Sequence, residues 1–184
     1  MAEIRIETVV KAETKIKIGV IRILRSSIVV IGLLLMIVSC DSKMVVGEMQ
    51  DMPGHWNKND ELEFHVPRLD SLKKYDLFIH LRNTNDYPYN NIFLIASIEF
   101  PHGKTITDTL EYRMANPDGT WLGSGIGTVK ENKLWYKEDV SFFESGDYII
   151  RLSQAVRNNG SIHGVTQLDG ITEVGYSIEE ATDR

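Results

Sequence analysis

Cysteine is nearly absent: one residue, Cys40, in 184. That excludes an internal disulfide and any zinc site built from several thiolates. A basic excess is missing too, with 20 Lys+Arg against 26 Asp+Glu and a formal net charge of −6. Nucleic-acid binders carry clustered positive charge, so that class of partner is not expected. The five histidines, His55, His65, His80, His102 and His163, are scattered. None has the i+2 or i+4 partner that builds a metal site on a strand or helix. Asp60, Glu61 and Glu63 cluster without a calcium-loop spacing, and read as a solvated strand edge. There is no G-x-S-x-G elbow. Gly123, Gly125 and Gly127 in W-L-G-S-G-I-G lack the Lys-Ser/Thr and following helix of a phosphate loop. No catalytic residue, metal or cofactor is expected.

What is present begins with an address. Residues 1–39 hold six Lys/Arg and three Asp/Glu, a net of +3, whereas residues 40–184 hold fourteen and twenty-three, a net of −9. Ile28 to Val38 is an uncharged apolar run of eleven residues. As a helix it spans roughly 16 Å, about half a bilayer core. That is short for a membrane span and right for the apolar region of a secretory signal, with Arg22 and Arg25 as its positive flank. Ile37-Val38-Ser39-Cys40 then resembles a bacterial lipobox: a branched apolar residue, a tolerant position, a small residue and Cys. Small Ser39 admits a peptidase, and the Cys40 thiol is the expected acceptor of a diacylglycerol anchor. Residues 1–39 therefore read as a lipoprotein signal peptide, whose first part could be an upstream extension from a misassigned start. Residues 40–54, with Gly, Pro and Ser but no period, read as the lipidated N-terminus and a flexible tether.

From about Asp60 the apolar residues recur at every second position. Leu62, Phe64 and Val66 are followed by Tyr75 to Leu81, Ile92 to Phe100, Ile106 to Met114, Leu134 to Phe142, Tyr148 to Val156 and Ile171 to Ile178. Period two with Val, Ile, Thr, Tyr and Phe is the strand signature. Turn chemistry separates the runs at Pro67–Asp70, Asn85–Pro88, Pro101–Gly103, Asn116–Gly119, Glu144–Asp147 and Asn158–Gly160. The expectation is all-β: a single β-sandwich over residues 55–180, jelly-roll or immunoglobulin-like, of about seven or eight antiparallel strands. Residues 181–184 form a C-terminal tail.

One connection stands out chemically. Arg82 to Asn91 is rich in Tyr and Asn, residue types favoured in protein and carbohydrate contacts. Arg82, Tyr87, Tyr89, Asn90 and the more distant Trp121 are the candidate interaction surface. The competing reading is that Arg82 pairs with an acidic neighbour and the tyrosines cap the sandwich end.

The ordered features resemble the GldH family of gliding-motility lipoproteins. The pieces that carry the resemblance are the lipobox ending in Cys40, Trp56, Leu81-Arg82-Asn83, Tyr87 through Leu94 and Pro101-His102-Gly103. Asp108 to Tyr112, Gly119 to Gly123, Gly146-Asp147-Tyr148, Gln154 to Arg157 and Gly170 to Gly175 continue it, so it covers residues 40–180. It implies a non-catalytic envelope lipoprotein of gliding bacteria, held by its lipid on the outer membrane or the periplasmic face of a membrane. It implies other gliding or type IX secretion proteins as partners, in an assembly or stabilising role. The alternative is a surface or periplasmic module that binds carbohydrate or peptide. No small-molecule ligand is named by either.

Overall fold

Alternation along the chain turns one side of each strand inward, and the computed structural model describes where those sides meet, over residues 43–182. The signal segment 1–39, Cys40, residues 41–42 of the expected tether and the last two residues of the tail lie outside the described residues. Among the described residues are ten strands: β1 (Met44–Asp51), β2 (His55–Asn57), β3 (Leu62–Val66), β4 (Tyr75–Asn83), β5 (Asn91–Glu99), β6 (Thr105–Arg113), β7 (Lys130–Val140), β8 (Tyr148–Gln154), β9 (Gln167–Asp169) and β10 (Ile171–Glu180). One four-stranded sheet has the order β1-β10-β4-β7, the other β3-β8-β5-β6, and β2 pairs with β9 as a short ribbon.

The pairings nest. β5 pairs with β6, β4 with β7, β3 with β8, β2 with β9 and β1 with β10, all antiparallel. The chain is thus one long hairpin, folded back at the β5–β6 turn and rolled up so that β10 also meets β4 and β8 also meets β5. Eight strands rolled this way are a jelly roll rather than an immunoglobulin arrangement. The seven runs read from the alternation are β3 to β8 and β10; the three further strands are β1, β2 and β9, of which β2 and β9 have three residues each and are too short to show a period.

Inner faces bury Leu77, Ile79 and Leu81 of β4 against Ile92, Leu94 and Ile98 of β5, and Phe64 meets Tyr176 across the sheets with ring centroids 5.4 Å apart. The seam between the β6 and β7 edges is closed by side chains. Tyr136 donates to Asp108 at 3.1 Å, Lys137 pairs with the same carboxylate at 2.8 Å, and Tyr112 donates to the Trp135 carbonyl at 2.5 Å. Burial raises the Tyr112 phenol to about 12, so it stays a donor at every physiological pH.

The expected tether does not hold where it can be seen. Met44–Asp51 is a strand paired with β10 through Asp51↔Glu173, and not a loose segment. Two glycines explain the close pairing. A Cβ on Gly175 would lie 2.1 Å from the Glu48 carbonyl oxygen, and one on Gly47 would lie 3.0 Å from that of Tyr176. β1 can lie this close only because both positions lack a side chain. As an edge strand it half-buries only Val46 and Gln50, so no apolar period is written into it.

Candidate functional site

Strand direction sorts every loop to one of two ends. β1 starts and β10 finishes at one end, which also carries the β3–β4, β5–β6 and β7–β8 connections. The opposite end carries the β4–β5, β6–β7 and β8–β9 loops, and the candidate interaction residues lie there or on the strand leading to it. Nine-residue strands separate the two by about 30 Å.

At that far end Tyr87 is core, 3% exposed, which corrects the expectation that it is displayed. Its hydroxyl donates to the Asn91 carbonyl at 2.7 Å, and its ring packs on Tyr89 at 5.8 Å and Trp121 at 6.1 Å. Burial holds the phenol well above its ordinary pKa. The backbone of Gly170 presses on it: φ is +79°, and a Cβ there would sit 2.3 Å from the Tyr87 nitrogen. Tyr89 is half-buried and donates to Asn158 Oδ1 at 2.7 Å. Trp121 is half-buried and donates from Nε1 to Asn85 Oδ1 at 3.0 Å. Asn90 is exposed, and its carbonyl accepts from the Met114 and Ala115 amides at 2.7 and 3.1 Å. Tyr89, Asn90 and Trp121 therefore pin three loops to one another while keeping part of their surface in solvent.

Arg82 lies on the outer face of the first sheet. Its guanidinium reaches Glu131 at 2.9 Å and Glu173 at 2.7 Å, so β7, β4 and β10 are joined by one cation. Those two hydrogen bonds raise its pKa further. One register step on, His80 lies 2.7 Å from the Ser177 hydroxyl and 3.6 Å from Glu131. Beyond it Phe78 is covered by Trp135, ring centroids 4.6 Å apart, and by Lys133, 4.0 Å above the ring. This face is a laced surface. Arg82 belongs to that lacing, as the ion-pair reading of the sequence anticipates.

The most exposed apolar residues of the far end had no sequence motif to point to them. Ile126 is fully exposed on the β6–β7 loop with Leu122 half out beside it, and Ile162 stands out from the β8–β9 loop. The only signal for Ile126 is its setting between two glycines, with no neighbouring apolar residue to pack on. Just below, on the outer face of the second sheet, Phe93, Ile95, Thr109, Ala155 and Arg157 line an apolar hollow of about 340 Å³. No group of three or more His, Cys, Asp or Glu among the described residues stands close enough to hold a metal ion. The glycine-rich 123–127 segment leads into β7 and not into a helix, and Lys130 donates back to the Gly125 carbonyl at 3.0 Å.

A model of the family described as GldH lipoprotein matches residues 44–178. The gliding motility lipoprotein GldH homolog of Christiangramia forsetii is 52% identical over 143 residues, covering 78% of this chain and 88% of its own length. The gliding motility lipoprotein GldH of Flavobacterium johnsoniae is 50% identical over 159 residues, covering 86% of this chain and 98% of its own. Among solved structures, a family GH115 4-O-methyl-alpha-glucuronidase aligns with a TM-score of 0.35 at 10% identity, over 77% of this chain and 17% of that one.

Proposed function

This chain belongs to the GldH lipoprotein family, and from that premise we propose that it is a non-catalytic envelope lipoprotein that supports gliding motility. The observation that carries the reading is identity of 50% over nearly the whole length of a gliding-motility lipoprotein. The ion pairs of the outer face and the tyrosine contacts of the seam and far end spend their polar groups on holding strands and loops together. Such a body suits an assembly or stabilising part of the gliding and type IX secretion machinery.

Cys40 is the anchor in this reading, its sulfur carrying a diacylglycerol thioether after the signal 1–39 is removed. Three acyl chains on a mature lipoprotein cysteine hold far more firmly than one. Anchoring raises the local concentration of the domain beside other anchored components, so modest contacts suffice for assembly. The far end, with Tyr89, Asn90, Trp121 and the exposed Ile126, is the contact surface for those components. A carbohydrate-binding role is less well served there, because Trp121 Nε1 and the Tyr89 hydroxyl are already committed to Asn85 and Asn158.

The test is a deletion strain complemented with the wild-type gene, with Cys40→Ala or with Ile126→Asp. Colony spreading should stop on deletion, return with the wild type, and stay impaired with either variant. Ile126→Asp should leave protein level and lipid labelling unchanged. Normal spreading of the deletion strain would sink the motility reading; normal spreading with Ile126→Asp would remove the far end as the contact surface.

A further inference from the structure

We propose that the end of the sandwich where β1 begins rests on the lipid surface, with Leu72 and Phe143 inserted as apolar anchors. This rests on Cys40 being the lipidated residue. Three peptide units separate Cys40 from Lys43, so their Cα atoms lie at most roughly 11 Å apart however the intervening chain runs. The strand pairing of β1 then leaves no slack beyond Met44. The first residues of the domain are therefore held within about a headgroup layer of the anchor, while the far end stands roughly 30 Å away.

The surface brought to the membrane is continuous. The Glu180 amide donates to the Lys43 carbonyl at 3.1 Å, and the Ala181 amide donates to that of Lys74 at 2.9 Å. These bonds fix the β3–β4 loop beside the point of chain entry. From there Tyr75 packs on Phe142 at 5.8 Å, Phe142 on Tyr148 at 4.9 Å and Tyr148 on Phe100 at 5.2 Å. Gly146 comes so near Pro101 that an added Cβ would lie 2.7 Å from its side chain, which joins the β5–β6 and β7–β8 turns. On this supported floor Leu72 is 93% exposed and Phe143 66% exposed.

Two large apolar side chains held out at loop tips are costly in water. Each recovers hydrophobic free energy when it enters the boundary between headgroups and acyl chains. The charges around them are mixed. Arg68, Lys74 and Lys104 are accompanied by Asp70, Glu144 and Asp147, and Lys73 is held by Glu180 at 2.7 Å. The contact is accordingly apolar, and salt should not release it.

The experiment uses the lipidated full-length product with one added thiol: Leu72→Cys, Phe143→Cys or, at the far end, Ile126→Cys. Because Cys40 is the only native cysteine and its sulfur would be a thioether, the added thiol alone takes an NBD label. The proteins are reconstituted in phosphatidylethanolamine–phosphatidylglycerol vesicles with or without doxyl-labelled phospholipid. At a depth of 5–10 Å the labels at 72 and 143 should shift to the blue and lose about half of their emission to the quencher, at low and high salt alike. The label at 126 should do neither. Unquenched labels at 72 and 143 on a lipidated protein would overturn the proposal and leave the lipoprotein reading intact. Quenching at 126 as strong as at 143 would overturn it as well. Mass spectrometry showing no lipid on Cys40 would take down both.

Discussion

Burial holds the His80 imidazole below its ordinary pKa of 6.5; the Glu131 carboxylate opposes that shift and the Lys133 ammonium adds to it. Burial therefore makes the folded chain resist protonation of this ring more than the unfolded chain does. Above pH 6.5 folded and unfolded chains both carry it neutral, and its contribution is complete. As pH falls below 6.5 the unfolded chain takes up a proton that the folded chain resists, so stability is lost progressively down to the depressed folded pKa. Asp108 works in a separate window. The hydrogen bond from Lys137 lowers its pKa, so its contribution persists until pH drops through the carboxylate range. Urea unfolding at pH 7.5 and 5.5 should therefore show the wild type losing stability with acid, and His80→Gln losing measurably less. Equal losses in the two chains would mean that the pH dependence resides elsewhere.

Pairing, rather than composition, decides what β1 is. Gly175 and Gly47 let its backbone approach β10, so adding one methyl group at Gly175 should push the strand off the sheet edge. For Gly175→Ala, amide exchange over residues 44–51 should accelerate strongly while β4 and β5 stay protected, at a cost of about 1–3 kcal/mol in global stability. Protection of 44–51 unchanged from the wild type would show that the close approach is relaxed elsewhere. The same strand shows where sequence reasoning stops. β3 to β8 and β10 are legible because each turns one face inward, and an inward face writes a period of two into the residues. β1 buries almost nothing, and β2 and β9 are three residues long, so none of the three carries a readable period. Tyr87 reads as a displayed turn residue for a related reason. A tyrosine between Asp86 and Pro88 has the composition of a turn, and only the roll-up of the hairpin brings Gly170 and Trp121 over its ring. Arg82, a candidate for the interaction surface, takes the competing ion-pair form instead, because an arginine on the outward phase of a central strand faces two neighbouring strands and both offer glutamate.

At the scale of the whole molecule, the rolled hairpin separates two ends that carry different side chains. One end begins three residues after Cys40; the other presents Tyr89, Asn90, Trp121 and Ile126 about 30 Å away. If lipidation at Cys40 fixes the first end to a bilayer, the second is displayed at a set height and in a restricted orientation. Neighbours anchored in the same membrane then meet it at high effective concentration. That advantage depends on the short connection, because a flexible linker dilutes the far end over a larger volume. Inserting a Gly-Ser linker of about sixteen residues between Ser42 and Lys43 adds an r.m.s. span of roughly 22 Å. It should leave lipid labelling and the unfolding midpoint unchanged, since the insertion precedes β1 and breaks none of its pairings with β10. Colony spreading should nevertheless fall below that of the wild type. Full spreading with the long linker would show that height and orientation do not matter, and that the domain acts wherever the membrane carries it.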